Sequence, residues 1–97
     1  MGWSCAVNAS EVMERIFEAS RHSDGMIEWN GERYFLEPDT SKEYEDGRIL
    51  MRVYKVIAAN KSGGIAGYEG KFFIRPDGGI AQTALRRFPF LRNILQE

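Results

Sequence analysis

The longest hydrophobic pattern in the chain runs from Arg48 to Arg75. Two stretches rich in β-branched and aromatic residues, 48–59 and 65–75, are separated by the turn-forming segment 60–64, which holds Ser62, Gly63 and Gly64. Length, composition and punctuation together predict a long β-hairpin over 48–75. Side chains alternate along a strand. In the second stretch Ala66, Tyr68, Phe72 and Ile74 therefore share one face, with Glu69, Lys71 and Arg75 opposite. In the first, Ile49, Met51, Val53 and Ile57 share a face, with Leu50, Tyr54 and Val56 opposite, so this strand is expected to be covered on much of both faces. Gly67 and Gly70 interrupt the second stretch and mark a bulge, a bend or a close backbone approach.

Upstream, Val12, Met13, Ile16, Phe17 and Ala19 or Ser20 recur at helical spacing, opposite Glu11, Glu14, Arg15 and Glu18. The spacing predicts an amphipathic helix over about 8–22, started by Asn8 with Glu11 three residues on, or by Ser10, and ended by Gly25. Residues 26–37 read as a hairpin about an Asn30-Gly31 type I′ turn. In that register Trp29 faces Glu32, Glu28 forms an ion pair with Arg33, and Ile27 faces Tyr34. Ile27, Trp29, Tyr34 and Leu36 then turn to the core. Residues 38–47 are polar and acidic, with Asp39, Glu43, Glu45 and Asp46, and are expected to form a surface loop.

After the hairpin, Pro76-Asp77-Gly78-Gly79 is a turn leading to a short edge strand over 80–82. A helical tail follows over 83–97, with Thr83 as a cap and Pro89 starting a second short helix. The order predicts an α+β fold in two layers. An N-terminal helix packs on a four- to five-stranded antiparallel meander, followed by a short C-terminal helical tail. The second sheet face, with Met26, Phe35, Leu50, Tyr54, Val56 and Phe73, is expected to need covering by the tail or by a partner.

Composition adds bounds. Ninety-seven residues make one domain able to fold without disulfides, and the single cysteine, Cys5, favours a reducing compartment. Polar residues from Asn8 to Glu14 stand where the apolar part of a secretory leader would lie, and Ala6 is not the Ser or Thr expected after a myristoylated Gly2. No stretch approaches a membrane span, and a cytoplasmic location is expected. Net charge is −1, yet residues 1–47 carry −7 and residues 48–97 carry +6. The halves are expected to neutralise each other within the fold or across a dimer.

Chemistry is sparse. A Cys5–His22 nucleophile pair has no local signature, and the acidic loop lacks the ligand spacing of a calcium loop. The run from Gly63 to Lys71 ends in Gly70-Lys71, but Ile65 and Phe72 stand where a phosphate loop needs Gly and Ser or Thr. No catalytic residue, cofactor or metal site is assigned.

The pattern points to a non-catalytic protein-interaction module that associates with itself. Its candidate contact residues are Phe88, Phe90, Leu91 and Leu95 of the tail, and Tyr54 and Phe73 of the second sheet face. The first alternative is a nucleic-acid-binding domain using Arg75, Arg86, Arg87 and Arg92 on one surface. The second is a small-ligand-binding domain or an enzyme.

Overall fold

The computed structural model describes residues 8–21, 25–60 and 63–95, with the side chains of 58–60 and 63–65 left aside. Cys5, His22 and the tip of the long hairpin at 61–62 lie outside them. The fold is α+β: helix α1 (Ala9–Ser20), strands β1 (Ile27–Trp29), β2 (Glu32–Pro38), β3 (Ile49–Asn60) and β4 (Gly63–Ile74), then helices α2 (Gln82–Arg87) and α3 (Phe90–Leu95). The four strands form one antiparallel meander in the order β1-β2-β3-β4.

Asn8 starts α1: its backbone is extended and its Oδ1 accepts from the Glu11 N–H at 2.9 Å. Ala9, Val12, Ile16 and Ser20 form the buried stripe, while Phe17 at its margin stays exposed. The Ser20 hydroxyl is satisfied within the helix by donating to the Ile16 carbonyl. Gly25, at φ 81°, returns its N–H to the Ser20 carbonyl. Asn30 and Gly31 both take positive φ at the hairpin turn. The register there is the one their sequence demands, with Ile27 opposite Tyr34, Glu28 opposite Arg33 and Trp29 opposite Glu32.

The long hairpin departs from simple alternation. Val53 pairs with Gly70 but Tyr54 pairs with Tyr68, so Glu69 is an extra residue in β4. Gly70 sits at φ 145°, a conformation that L side chains avoid. One added residue reverses which side chains face which way. Phe72 and Ile74 are buried, while Tyr68 points to the other side and is 52 % exposed. The face expected to join Tyr68 to Phe72 is thus split at the bulge. A second irregularity lies between Val56 and Ala58, and Ile57 there is exposed, its side chain lying over Gly67.

The edge strand expected over 80–82 is absent. The Gly78 N–H bonds to the Arg75 carbonyl, and the Arg75 N–H to the Gly79 carbonyl, which closes the turn and turns the chain away from the sheet edge. Ile80 drops into the core, and α2 begins on the Ala81 carbonyl, which accepts from the Ala84 and Leu85 N–H groups. Ala81, not Thr83, is the N-cap. Pro89 separates the two short helices, and its carbonyl accepts from the Arg92 N–H in the first turn of α3.

All three helices belong to one face of the sheet. Val12 and Ile16 of α1 join Ile27, Met51, Val53, Phe72 and Ile74 in a single cluster with Phe88, Phe90, Leu91 and Ile94. Phe90 packs on Tyr34 with ring centroids 4.8 Å apart, and Phe88 on Phe72 at 6.1 Å. Helix α1 is tied to the other elements by the Ala9 N–H to the Pro76 carbonyl and by Arg15 Nη1 to the Leu95 carbonyl. Geometry explains this arrangement. Twelve helical residues span about 18 Å, against about 40 Å for a strand of equal number, so one helix leaves half of the face bare. The tail fills that half, and the opposite sheet face carries no helix among the described residues.

Candidate functional site

The open face is organised by strand register into cross-strand rows. Phe35, Tyr54 and Tyr68 are register partners across β2, β3 and β4. Phe35 and Tyr54 stack with centroids 4.9 Å apart, and Tyr68 meets Tyr54 edge-on at 5.7 Å. Three aromatic rings thus form a continuous strip with no helix over it. On one side of the strip lie Arg33, Val56 and Ala66, and on the other Glu37, Arg52 and Lys71.

Beyond the charged row, Leu50 pairs with Phe73, and here the acidic loop folds back onto the sheet. Tyr44 packs edge-on against Phe73 at 5.4 Å. The Arg48 guanidinium lies 4.4 Å from the Tyr44 ring and 4.6 Å from the Phe73 ring, held by cation–π attraction. Leu50 is buried beneath this cover. The Asp39 N–H bonds to the Leu50 carbonyl, and its carboxylate meets Arg52 at 2.7 Å. Hydrogen bonds from the Ser41 hydroxyl, from Arg52 and from the Ser41 N–H lower the Asp39 pKa to about 2. Arg52 is therefore neutralised in place. Arg33 and Glu37 have no ion-pair partner among the described residues, and the expected Glu28–Arg33 bridge does not form despite its register.

A second feature follows the outer edge of β4. A groove of about 450 Å³ lies between α2 and the loop before β3. Arg48, Lys71, Arg75 and Arg87 line it together with Asp46, Thr83, Phe73 and the buried residues Phe72 and Phe88. Arg87 crosses the strand edge and donates to the Glu69 carbonyl at 2.6 Å, the carbonyl of the bulge.

The sequence-derived candidates separate accordingly. Phe88, Phe90 and Leu91 are 3 %, 1 % and 0 % exposed, and Leu95 packs partly buried against the same cluster. The chain's own core uses them, which corrects their placement on a contact surface. The apolar residues at helical spacing match the uncovered half of the sheet's inner face. Tyr54 and Phe73 do lie on the outer face, Phe73 beneath Arg48 and Tyr44. The four arginines of the nucleic-acid alternative are not brought together. Arg75 and Arg87 line the groove, Arg92 bonds to Gln82 Oε1 at 3.3 Å, and Arg86 is exposed outside the groove.

Sequence reasoning missed Tyr68 as a neighbour of Tyr54, and Arg48 and Lys71 as partners of Arg75 and Arg87. Gly70 was the available signal for the first. Nothing local signals the second. Among the described residues no group of three or more His, Cys, Asp or Glu could hold a metal ion, and no helix is long and apolar enough to cross a membrane. Searches with family models, against curated proteins and against solved structures found no match to this chain.

Proposed function

We propose that this protein is a non-catalytic interaction module that pairs with a second copy of itself through the open face of its sheet. The observation that carries the reading is the strip Phe35–Tyr54–Tyr68, three adjoining rings on a face that no described helix covers. Aromatic strips of this kind gain by exclusion of water and by ring contacts.

The charges beside the strip favour a like partner. Arg33 and Glu37 flank Phe35 on the same strand and the same face. A two-fold axis crossing the strands at the aromatic row sets each Glu37 against Arg33 of the second copy, and sets the strip on itself. The same operation lays Lys71 over the Ala66 position and Arg52, already neutralised by Asp39, over Val56. No like charges meet. The footprint is three strands wide and five residues long, about 14 by 17 Å. That lies at the small, transient end of protein interfaces, so a dissociation constant on the order of micromolar or weaker is expected.

The test is equilibrium sedimentation over a wide protein concentration range. Tyr68→Glu should abolish dimerisation while leaving the circular dichroism unchanged. Arg33→Glu should weaken it about tenfold by opposing Glu37, and adding Glu37→Arg should restore it. A wild-type protein that stays monomeric at several hundred micromolar, or a charge swap that fails to rescue, would defeat the reading.

A further inference from the structure

The groove along β4 gathers positive charge on a chain whose net charge is −1. Four cations line it, from the loop before β3, from β4, from the turn after β4 and from α2, and Asp46 is the one carboxylate among the lining residues. Asp46 stands 3.7 Å from Arg48 Nε, and Asp77 stands 3.9 Å from Arg75 Nε, so each carboxylate engages the inner nitrogen of its arginine. Arg48 is fixed between two rings, and Arg87 is fixed by the Glu69 carbonyl with Phe88 beneath it. Lys71 has no carboxylate within 4.0 Å among the described residues. Much of the donor capacity of three guanidinium forks and one ammonium is thus left for a ligand.

Shape and surroundings narrow the ligand. The Phe72 and Phe88 rings are sealed within the core, and Arg48 already occupies the Phe73 ring, so the groove has no free aromatic face on which a nucleobase could stack. Arg86 and Arg92 do not extend the lining, which makes the positive surface a patch and not a track for a polymer. A single carboxylate would leave most of the local charge uncompensated, whereas adjoining phosphoryl groups bring several oxygens and two or more charges into a small volume. We propose that this groove binds a compact ligand carrying two adjoining phosphoryl groups, as in inorganic pyrophosphate or the diphosphate of a nucleotide. The site reads the phosphates and leaves the remainder of the ligand outside.

Isothermal titration of the full chain at low salt with pyrophosphate, ADP, AMP and inorganic phosphate tests this. Pyrophosphate and ADP should bind at least about tenfold more tightly than AMP or phosphate, because the last two fill half of the site. Equal affinity for pyrophosphate and ADP supports recognition of the phosphates alone, whereas ADP binding more than about tenfold tighter than pyrophosphate would mean that the nucleoside is read as well and would overturn the proposal.

The double variant Lys71→Gln/Arg75→Gln should weaken pyrophosphate binding more than tenfold. Arg86→Gln/Arg92→Gln removes the same charge outside the groove and should change it less than twofold. Equal losses in the two variants would reduce the effect to diffuse attraction and overturn the proposal. So would absence of pyrophosphate binding, or tight binding of a single-stranded oligonucleotide or a phosphopeptide without it. Because Lys71 also lies in the dimer footprint, the titrations are run at concentrations where the chain is monomeric; there Tyr68→Glu should leave pyrophosphate affinity intact, so the two proposals fail separately.

Discussion

If the C-terminal tail is core and not a contact arm, removing one of its rings should be as costly as removing any central hydrophobe. Phe90 is the sharpest place to ask, since it is 1 % exposed and lies against Tyr34 at 4.8 Å and Phe88 at 6.0 Å. Truncating a buried Phe to Ala costs about 3–5 kcal/mol. Here the rings of Tyr34 and Phe88 would each be left facing a void, which places this site in the upper half of that range. Domains of this size hold about 5–15 kcal/mol in total. A loss of about 4 kcal/mol lowers the melting midpoint by about 15–30 °C.

Urea and thermal unfolding followed by circular dichroism, at a concentration where the chain is monomeric, measure it. Phe90→Leu should show about 1–2 kcal/mol and keeps the comparison readable if Phe90→Ala does not fold. Tyr68→Ala, an aromatic truncation on the open face, should cost less than about 1 kcal/mol. A Phe90→Ala loss below about 1 kcal/mol, or equal losses at Phe90 and Tyr68, would refute the placement of the tail inside the fold. A chain ending at Thr83 should be unfolded by the same reasoning.

Gly70→Ala should destabilise by about 2–4 kcal/mol, combining backbone strain at φ +145° with a Cβ only 3.1 Å from Phe88 Cζ and 3.2 Å from Arg87 Cζ. Gly31→Ala has the strain without the clash and should cost about 1 kcal/mol in the same urea titrations; equal effects would deny the close approach. Asp39 titrates at about 2 in the folded protein against an ordinary 3.8, so it binds fewer protons folded than unfolded in that interval. Its stabilising contribution is therefore complete above about pH 4 and lost as pH falls towards 2. Asp39→Asn should lose stability at neutral pH and show a flatter acid limb, and an unchanged limb would remove the Arg52–Asp39 pair from the account.

Local chemistry determined much of this protein. Asn8 and Glu11 set the start of α1, Asn30-Gly31 set the first hairpin and its register, and the long β-branched runs set β3 and β4. Each of these rests on capping groups, positive φ or side-chain period within a few residues, and such information lies within the segment itself. The α+β order and the meander follow from those elements and their short connections.

Tertiary structure decided the rest. Alternation cannot locate an extra residue, so the bulge at Glu69 and Gly70 moved Tyr68 to the open face. The tail's apolar residues fit the inner face, the outer face or a partner equally well on pattern alone, and the area α1 leaves bare selected the inner face. The short run at Ile80 lost its strand to a closed turn and a buried side chain. Arg48, Lys71, Arg75 and Arg87 come from four segments, and only the packing of α2 and the acidic loop along β4 brings them to one groove. Sequence specifies what each segment prefers, whereas the sharing of a limited sheet surface settles which face each segment receives.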